Sequence, residues 1–417
     1  MPLDSHQLSE PICVVGAGIL GASAALHLVR AGATDVTIVD AVEPLGGTTE
    51  AGAGFVAAFA ADSGRRFDRA AIAMAQYSIE FYKGLRDAGH EIEFAANGNL
   101  VLATTEKTLE RIRTGILDHP DKLPGTRELT PAEIGEISGG TIDPDAVLGG
   151  VYLAEGIQLT TRLALLAVLA DLETAGVTFR FNERVTGFTR TDDAVTGVET
   201  DTGHIPAARV VLACGAWSAD LLADLGWPLP LVPVVATRFV TDDCGLPSTM
   251  PTVQCLDFEL WLRELHGAFS WGLGPAYRSV SALEKDGVTI GRDRPVVEQL
   301  IQAQRECQAS LEKVFPKLRG TTPAEIIQGI PVYTVDGNFY VGPVPDCAGI
   351  WVLAGDNESG VTHGPAMGRL VSELIVGAEP FVDPHPFRLD RTAPDQFSTE
   401  ESVIAAFEGD RIASILS

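Results

Sequence analysis

Residues 11–15 (PICVV) form a short apolar run without polar alternation, as in a strand covered on both faces. The run gives way to GAGILG at Gly16–Gly21 and then to an apolar helix reaching about Arg30, which Gly32 ends. A second strand, Val36–Val39, stops on Asp40, so the first forty residues predict a β–α–β unit. Residues 46–60 are rich in Gly and Ala, a composition that lets a backbone lie close to a large flat group. An amphipathic helix is expected over 69–89, a strand over 97–104, and helices over 105–118 and 131–137. The strongest later helix is 160–175, ended by Gly176 and followed by strand 177–181.

Further strand candidates lie at 183–190, 194–200 and 208–215. Trp227–Pro233 leads into a region of sheet-like composition, with TRFV, TVQCL, GAFSWGL and GVTIG as candidate strands. A helix from about Pro295 to Phe315 interrupts it. Block 326–345, strand 349–355 and a helix from about Gly364 to Ile375 complete the pattern. Beyond Asp390, Ser398 with Glu401 matches a capping box. Val403, Ile404, Phe407, Ile412, Ile415 and Leu416 would form the buried face of a C-terminal helix docked on its own domain. Strands alternating with helices predict an α/β fold (α+β overall) with a Rossmann-like domain.

Composition narrows the functions. Hydrophobic residues make up 46% of the 417, enough for a substantial core in two or three domains. Lys and Arg number 30 against 56 Asp and Glu, a formal net charge of −26. That field repels phosphate backbones and anionic lipid heads and argues against nucleic-acid or membrane partners. No stretch is long and apolar enough for a transmembrane helix, and the polar, acidic N-terminus is unlike a secretory signal. The six cysteines show no CxxC pair and no metal spacing. They read as free thiols, and the expectation is a cytoplasmic protein without a metal.

The loop Gly16-Ala17-Gly18-Ile19-Leu20-Gly21 fits the dinucleotide fingerprint. Gly16 makes the turn, Gly18 admits a pyrophosphate, and Gly21 lets the helix approach the sheet. Asp40 follows Gly21 by 19 residues at a strand end, where a carboxylate accepts ribose hydroxyls and disfavours a 2′-phosphate. The loop alone does not separate NAD from FAD. Residues 208–217, a strand with a small-residue turn at Ala213, Cys214, Gly215 and Trp217, suit a second backbone crossing beneath a cofactor. The backbone of Val185 can pack near an adenine. Residues 349–362 give a second helix N-terminus, with Gly355, Gly360, Val361 and Thr362, over 300 residues from the first. Its positive dipole end would stabilise charge at flavin N1 and C2=O on reduction, a need that nicotinamide does not share.

With these segments in family order, the chain resembles the flavin amine oxidoreductases that include D-amino acid oxidase, glycine oxidase and sarcosine oxidase. The resemblance rests on ICVVGAGILGASAALHLVRAGATDVTIVD, the GGTT loop, EGIQLTTRLALLAVLADLETAGV, ARVVLACGAWSADLL, PVYTVDGNFYVGPVP and GIWVLAGDNESGVTHGPAMGRLVSELI. It implies non-covalent FAD held at Gly16–Gly18, Leu20, Gly21, Asp40, Ala41, Gly47, Thr48, Thr49 and the later segments above. It also implies a discontinuous FAD domain (1–90, 150–228, 326–390), a mixed-sheet substrate domain (91–149, 229–325) and a helical tail (391–417). The activity it implies is oxidation of an amine or amino-acid C–N bond to an imine by hydride transfer to flavin N5. O2 or another acceptor would take the electrons, and the chain could form a homo-oligomer.

Two family anchors for a substrate carboxylate are replaced. Pro331 stands where an Arg is usual, or the Cys that bonds FAD in sarcosine oxidases, and Thr362 matches a Lys. Either Arg263, Arg278 or Arg292 grips the carboxylate, or the substrate has none. Glu358 is a candidate partner for a substrate ammonium, or else a solvated turn acid. Tyr333 is a candidate pocket hydroxyl, or else a packing residue. His363 reads as a satisfied helix-start histidine, and one or two of Trp261, Phe269, Trp271 and Tyr277 are expected to line the pocket. Oxidation of a hydroxy acid or alcohol, and a flavoprotein subunit of a larger assembly, are the alternative readings.

Overall fold

A computed structural model describes residues 7–58, 69–281, 291–292, 297–397 and 399–416. The expected strand GVTIG, apart from Gly291, and the positions Pro295 and Ser398 lie outside the described residues, as do the side chains of Arg292, Ile412, Ile415 and Leu416.

Strand Ile12–Val15 is buried throughout and pairs in parallel with Val36–Val39 and Arg209–Leu212. Its alternate side chains serve two cores. Ile12 and Val14 join helix Ile19–Arg30 on one face, whereas Cys13 and Val15 meet Val185 and Val198 on the other. The six-stranded sheet continues outward to Thr178–Arg180 on one side, and to Ile350–Ala354 and antiparallel Tyr340–Pro343 on the other. The face opposite the helices is covered by an antiparallel sheet of Val185–Thr191, Ala194–Thr200 and Gly203–Pro206.

A second, eleven-stranded mixed sheet is organised around the long strand Leu231–Thr241. Strands Pro323–Gly329 and Val332–Thr334 both pair with it. Among the strands not marked by the sequence pattern are Gly203–Pro206 and Leu260–Leu265. In the latter, the charged side chains of Arg263 and Glu264 are buried. Arg263 Nη1 donates to the Gly54 carbonyl (3.2 Å) and to the Leu159 carbonyl, and Glu264 accepts the Gly267 amide at 2.6 Å. Partners distant in sequence make a polar strand admissible here.

The helix after strand Ile350–Ala354 runs Gly360–Val376 and so begins four residues before the expected Gly364. In the fold Pro365 is inside the helix, and it has no N–H for the Val361 carbonyl. The buried Tyr82 hydroxyl donates to that carbonyl at 2.9 Å and replaces the missing bond. The C-terminal helix, Glu400–Leu416, docks on the chain as expected, with Phe407 buried against Val232 and Val234.

Candidate active site

One cavity of about 1070 Å³ lies at the carboxyl ends of the parallel strands, which contribute Val15, Val39 and Ala213 to its wall. That is where open α/β sheets bind ligands. The large sheet forms the opposite wall through Ala236, Arg238, Trp261 and Tyr277.

The glycine loop leaves room at one end. Gly16 has φ +107°, and a Cβ there would sit 2.4 Å from the Ala213 carbonyl oxygen. A Cβ on Gly21 would sit 1.9 Å from the Gly16 carbonyl oxygen, so this glycine brings helix and loop together. Asp40 has a role its spacing does not reveal. Its carboxylate accepts the Ala17 amide at 2.7 Å and the Val42 amide at 3.1 Å, bracing the loop it faces. Desolvation raises its pKa against those bonds. Thr49 Oγ1 accepts the Ile19 amide at 3.1 Å, at the helix N-terminus. Thr48 Oγ1 donates to the Ile330 carbonyl (3.1 Å) and ties the GGTT loop to the turn at Pro331.

Of the residues singled out from the sequence, Gly16, Ala17, Gly18, Leu20, Asp40, Ala41, Gly47, Thr48 and Thr49 line the cavity. So do Val185, Ala213, Cys214, Gly215, Trp217, Tyr333, Glu358, Gly360, Val361 and Thr362. Gly21 and Gly355 stand behind the wall. A Cβ at Gly355 would meet Thr334 Cγ2 at 2.2 Å, so its part is close packing at φ +69°.

The other end carries a connected polar chain. Trp261 Nε1 donates to Tyr277 Oη at 2.6 Å, Tyr277 Oη donates to Glu358 Oε1, and Tyr333 Oη donates to Glu358 Oε2 at 2.6 Å. Trp261 and Tyr277 therefore line the cavity, while Phe269 and Trp271 are fully buried core. Glu358 sits at φ 64° after Asn357 at φ 49°. Asn357 holds this turn by accepting the Thr334 amide (2.9 Å) and donating to the carbonyls of Gly337 (2.9 Å) and Gly355 (3.0 Å).

Among the expected arginines, Arg263 holds backbone carbonyls as described above and does not line the cavity, and Arg278 is exposed. The sequence reading passes over Arg238, which is buried, lines the cavity and donates from Nη1 to Ser270 Oγ at 3.4 Å. Its one visible signal is a charge inside the apolar strand LVPVVATRFVT. Pro331 lines the cavity. His363 is buried behind the helix start, with Nδ1 2.9 Å from Ser359 Oγ, and burial lowers its pKa to about 4. Desolvation pushes Asp356, at the same helix start, up to about 6. The six cysteines are free, and among the described residues no helix is long and apolar enough to cross a membrane.

The family model "FAD dependent oxidoreductase" matches residues 11–374. Glycine oxidase of Pseudomonas putida is 29% identical over 392 residues, 91% of this chain and 98% of its own. The 4-methylaminobutanoate oxidase (formaldehyde-forming) of Paenarthrobacter nicotinovorans is 28% identical over 395 residues, 92% of this chain but 45% of its own length. In structure, L-proline dehydrogenase from P. horikoshii matches with TM-score 0.79 at 21% identity, over 92% of this chain and 98% of its own, which shows a shared fold. With its glycine-cradled cavity and this match over most of its length, the chain belongs to the family of FAD dependent oxidoreductases.

Proposed function

We propose that the chain oxidises the C–N bond of an amine or amino acid. The observation that carries this reading is that one cavity joins a dinucleotide cradle, a second helix N-terminus at Gly360 and a wall of hydrogen-bonding side chains. The residues present fit FAD. Gly16–Gly18 and the start of helix Ile19–Arg30 would receive its pyrophosphate, and Asp40 its ribose. Val185 and the turn at Cys214–Trp217 would flank the rest, with Gly47–Thr49 alongside. The amide end of helix Gly360–Val376 would face the flavin ring, close to Val361 and Thr362. Within this reading, segments 1–90, 150–228 and 326–390 form the FAD domain, 91–149 and 229–325 the substrate domain, and 391–417 a tail.

Bound FAD supplies the hydride acceptor that turns the amine into an imine, and O2 or another acceptor then takes the electrons. The chain's own groups bind, orient and exclude water. Tyr333 and Glu358 face the substrate space, with Thr362 at the helix start. A cytoplasmic location, and a homo-oligomeric state, belong to this reading as well.

The test is an anaerobic absorbance titration of the yellow holoprotein with amines, N-methyl amino acids, D-amino acids and hydroxy acids. Bleaching by an amine or amino acid, reversed on admission of acceptor, is the expected result. Bleaching by hydroxy acids alone would transfer the reading to C–O oxidation.

A further inference from the structure

We propose that the wall built from Trp261, Tyr277, Tyr333 and Glu358 is a subsite for a second, non-reacting cationic nitrogen. The substrate is then a diamine, or an amine that also carries a quaternary ammonium group. This inference rests on the C–N oxidation reading above and deepens it.

Three observations carry it. Glu358 is a carboxylate used as an acceptor on both oxygens, by Tyr277 and by Tyr333, and it faces the cavity. Aromatic rings line the same cavity wall: Trp261, bonded to Tyr277, and Phe407 from the C-terminal helix, 5.2 Å from the Tyr333 ring. A carboxylate among aromatic rings is the chemistry that holds an alkylated ammonium. The third observation is rigidity. Glu358 occupies a left-handed backbone position fixed by the Asn357 side-chain bonds, so the charge is held in place before a ligand arrives.

Why the held nitrogen is not the one oxidised follows from charge. A carboxylate beside an amine favours its protonated form. Loss of hydride from the α-carbon needs the nitrogen lone pair free to form the C=N bond. A nitrogen kept as ammonium by Glu358 therefore resists oxidation, and a quaternary nitrogen has no lone pair at all. The cage is suited to selecting substrates by a distal charge, while a different, neutral amine nitrogen reacts. Arg238 belongs to the same cavity but sits further along strand Leu231–Thr241, two residues beyond Ala236, whose partner is Tyr277.

The experiment uses the FAD holoprotein and matched ligands: a terminal diamine, the monoamine of equal length, glycine and sarcosine. Anaerobic flavin bleaching gives an apparent Kd for each. Binding of tetramethylammonium, which cannot be oxidised, is read from Trp fluorescence and the flavin difference spectrum against sodium chloride. The diamine is expected to bind about 10-fold more tightly than the monoamine. Glu358→Gln should erase that preference and the tetramethylammonium signal. Should E358Q fail to retain FAD, the double variant Tyr277→Phe with Tyr333→Phe keeps the rings, removes both donors, and should cut the preference in part.

Bleaching by the monoamine or by glycine with no diamine preference would overturn the cage and leave C–N oxidation standing, as would a preference that E358Q preserves. If no amine or amino acid bleaches a flavin that dithionite reduces, the C–N reading fails. The cage as a cation site is then decided by tetramethylammonium: a signal lost in E358Q upholds it, and no signal ends it.

Discussion

Gly16 illustrates how one missing side chain makes a binding site possible. Its φ of +107° and the 2.4 Å distance from a built Cβ to the Ala213 carbonyl oxygen leave no room for alanine. Gly16→Ala should destabilise the protein by about 3 kcal/mol, from overpacking with backbone strain. The purified variant should lose most of its flavin, read as the flavin-to-protein absorbance ratio. Tyr333 donates to Glu358 at 2.6 Å. Tyr333→Phe keeps the ring against Phe407 and removes about 1 kcal/mol of hydrogen bonding. The expected change is a rise of roughly 5-fold in substrate KM with kcat little altered; unchanged kinetics would remove this hydroxyl from the site.

Buried titratable groups also set a pH dependence. Burial lowers His27 and His363 from 6.5 to about 4, so the folded state keeps them neutral where the unfolded chain binds protons. Their contribution is fully present above pH 6.5 and is lost as pH falls toward 4. Asp356 acts oppositely, being raised from 3.8 to about 6, so its contribution is present at low pH and lost as pH rises through 6. Between pH 6 and 4 two protons oppose one, and the net slope favours higher pH. Urea unfolding midpoints in the presence of FAD should therefore fall from pH 7 to pH 5. His27→Gln, which leaves the cavity untouched, should flatten that decline.

At the scale of elements, the first β–α–β unit follows from local pattern: an apolar run, a glycine loop, and a helix ended by Gly32. Strand Leu260–Leu265 does not, since buried Arg263 needs carbonyls at positions 54 and 159 that no window around it contains. The start of helix Gly360–Val376 was likewise set from a distance, by Tyr82 taking the carbonyl that Pro365 leaves unused. The C-terminal helix contributes Phe407, 3% exposed, to both a core cluster and the cavity wall. Phe407→Ala should cost about 3–5 kcal/mol of stability. It should also weaken substrate binding, because Tyr333 loses the ring that supports it. Differential scanning calorimetry together with KM separates this from a helix that merely covers the surface, for which Tm would fall and KM would hold.

At the scale of the whole molecule, a net charge of −26 surrounds a cavity expected to receive a doubly negative pyrophosphate. The local helix dipoles favour that group, and the long-range field opposes it. Raising salt from roughly 10 mM to 150 mM screens the field over distances beyond the first contacts. FAD should bind apoprotein more tightly at the higher salt, measured by quenching of flavin fluorescence. The same field would draw a cationic amine toward the cavity, so substrate association should slow over that salt range in stopped-flow traces.

By itself the sequence determined the glycine loop between the first strand and helix, the order of the main helices and the family. These depend on spacing within one β–α–β unit or on segments whose order survives divergence. Glycine positions and helix ends are local matters of backbone sterics, so they can be read from neighbouring residues. Only the tertiary structure decided that Trp261, Tyr277, Tyr333 and Glu358 form one hydrogen-bonded wall, that Arg238 belongs to the cavity while Arg263 is occupied with carbonyls, and that Phe407 joins that wall beside Tyr333. The reason is physical. A side chain's role in a cavity depends on which groups meet it across the sheet and between chain segments, and those partners are tens to hundreds of residues away.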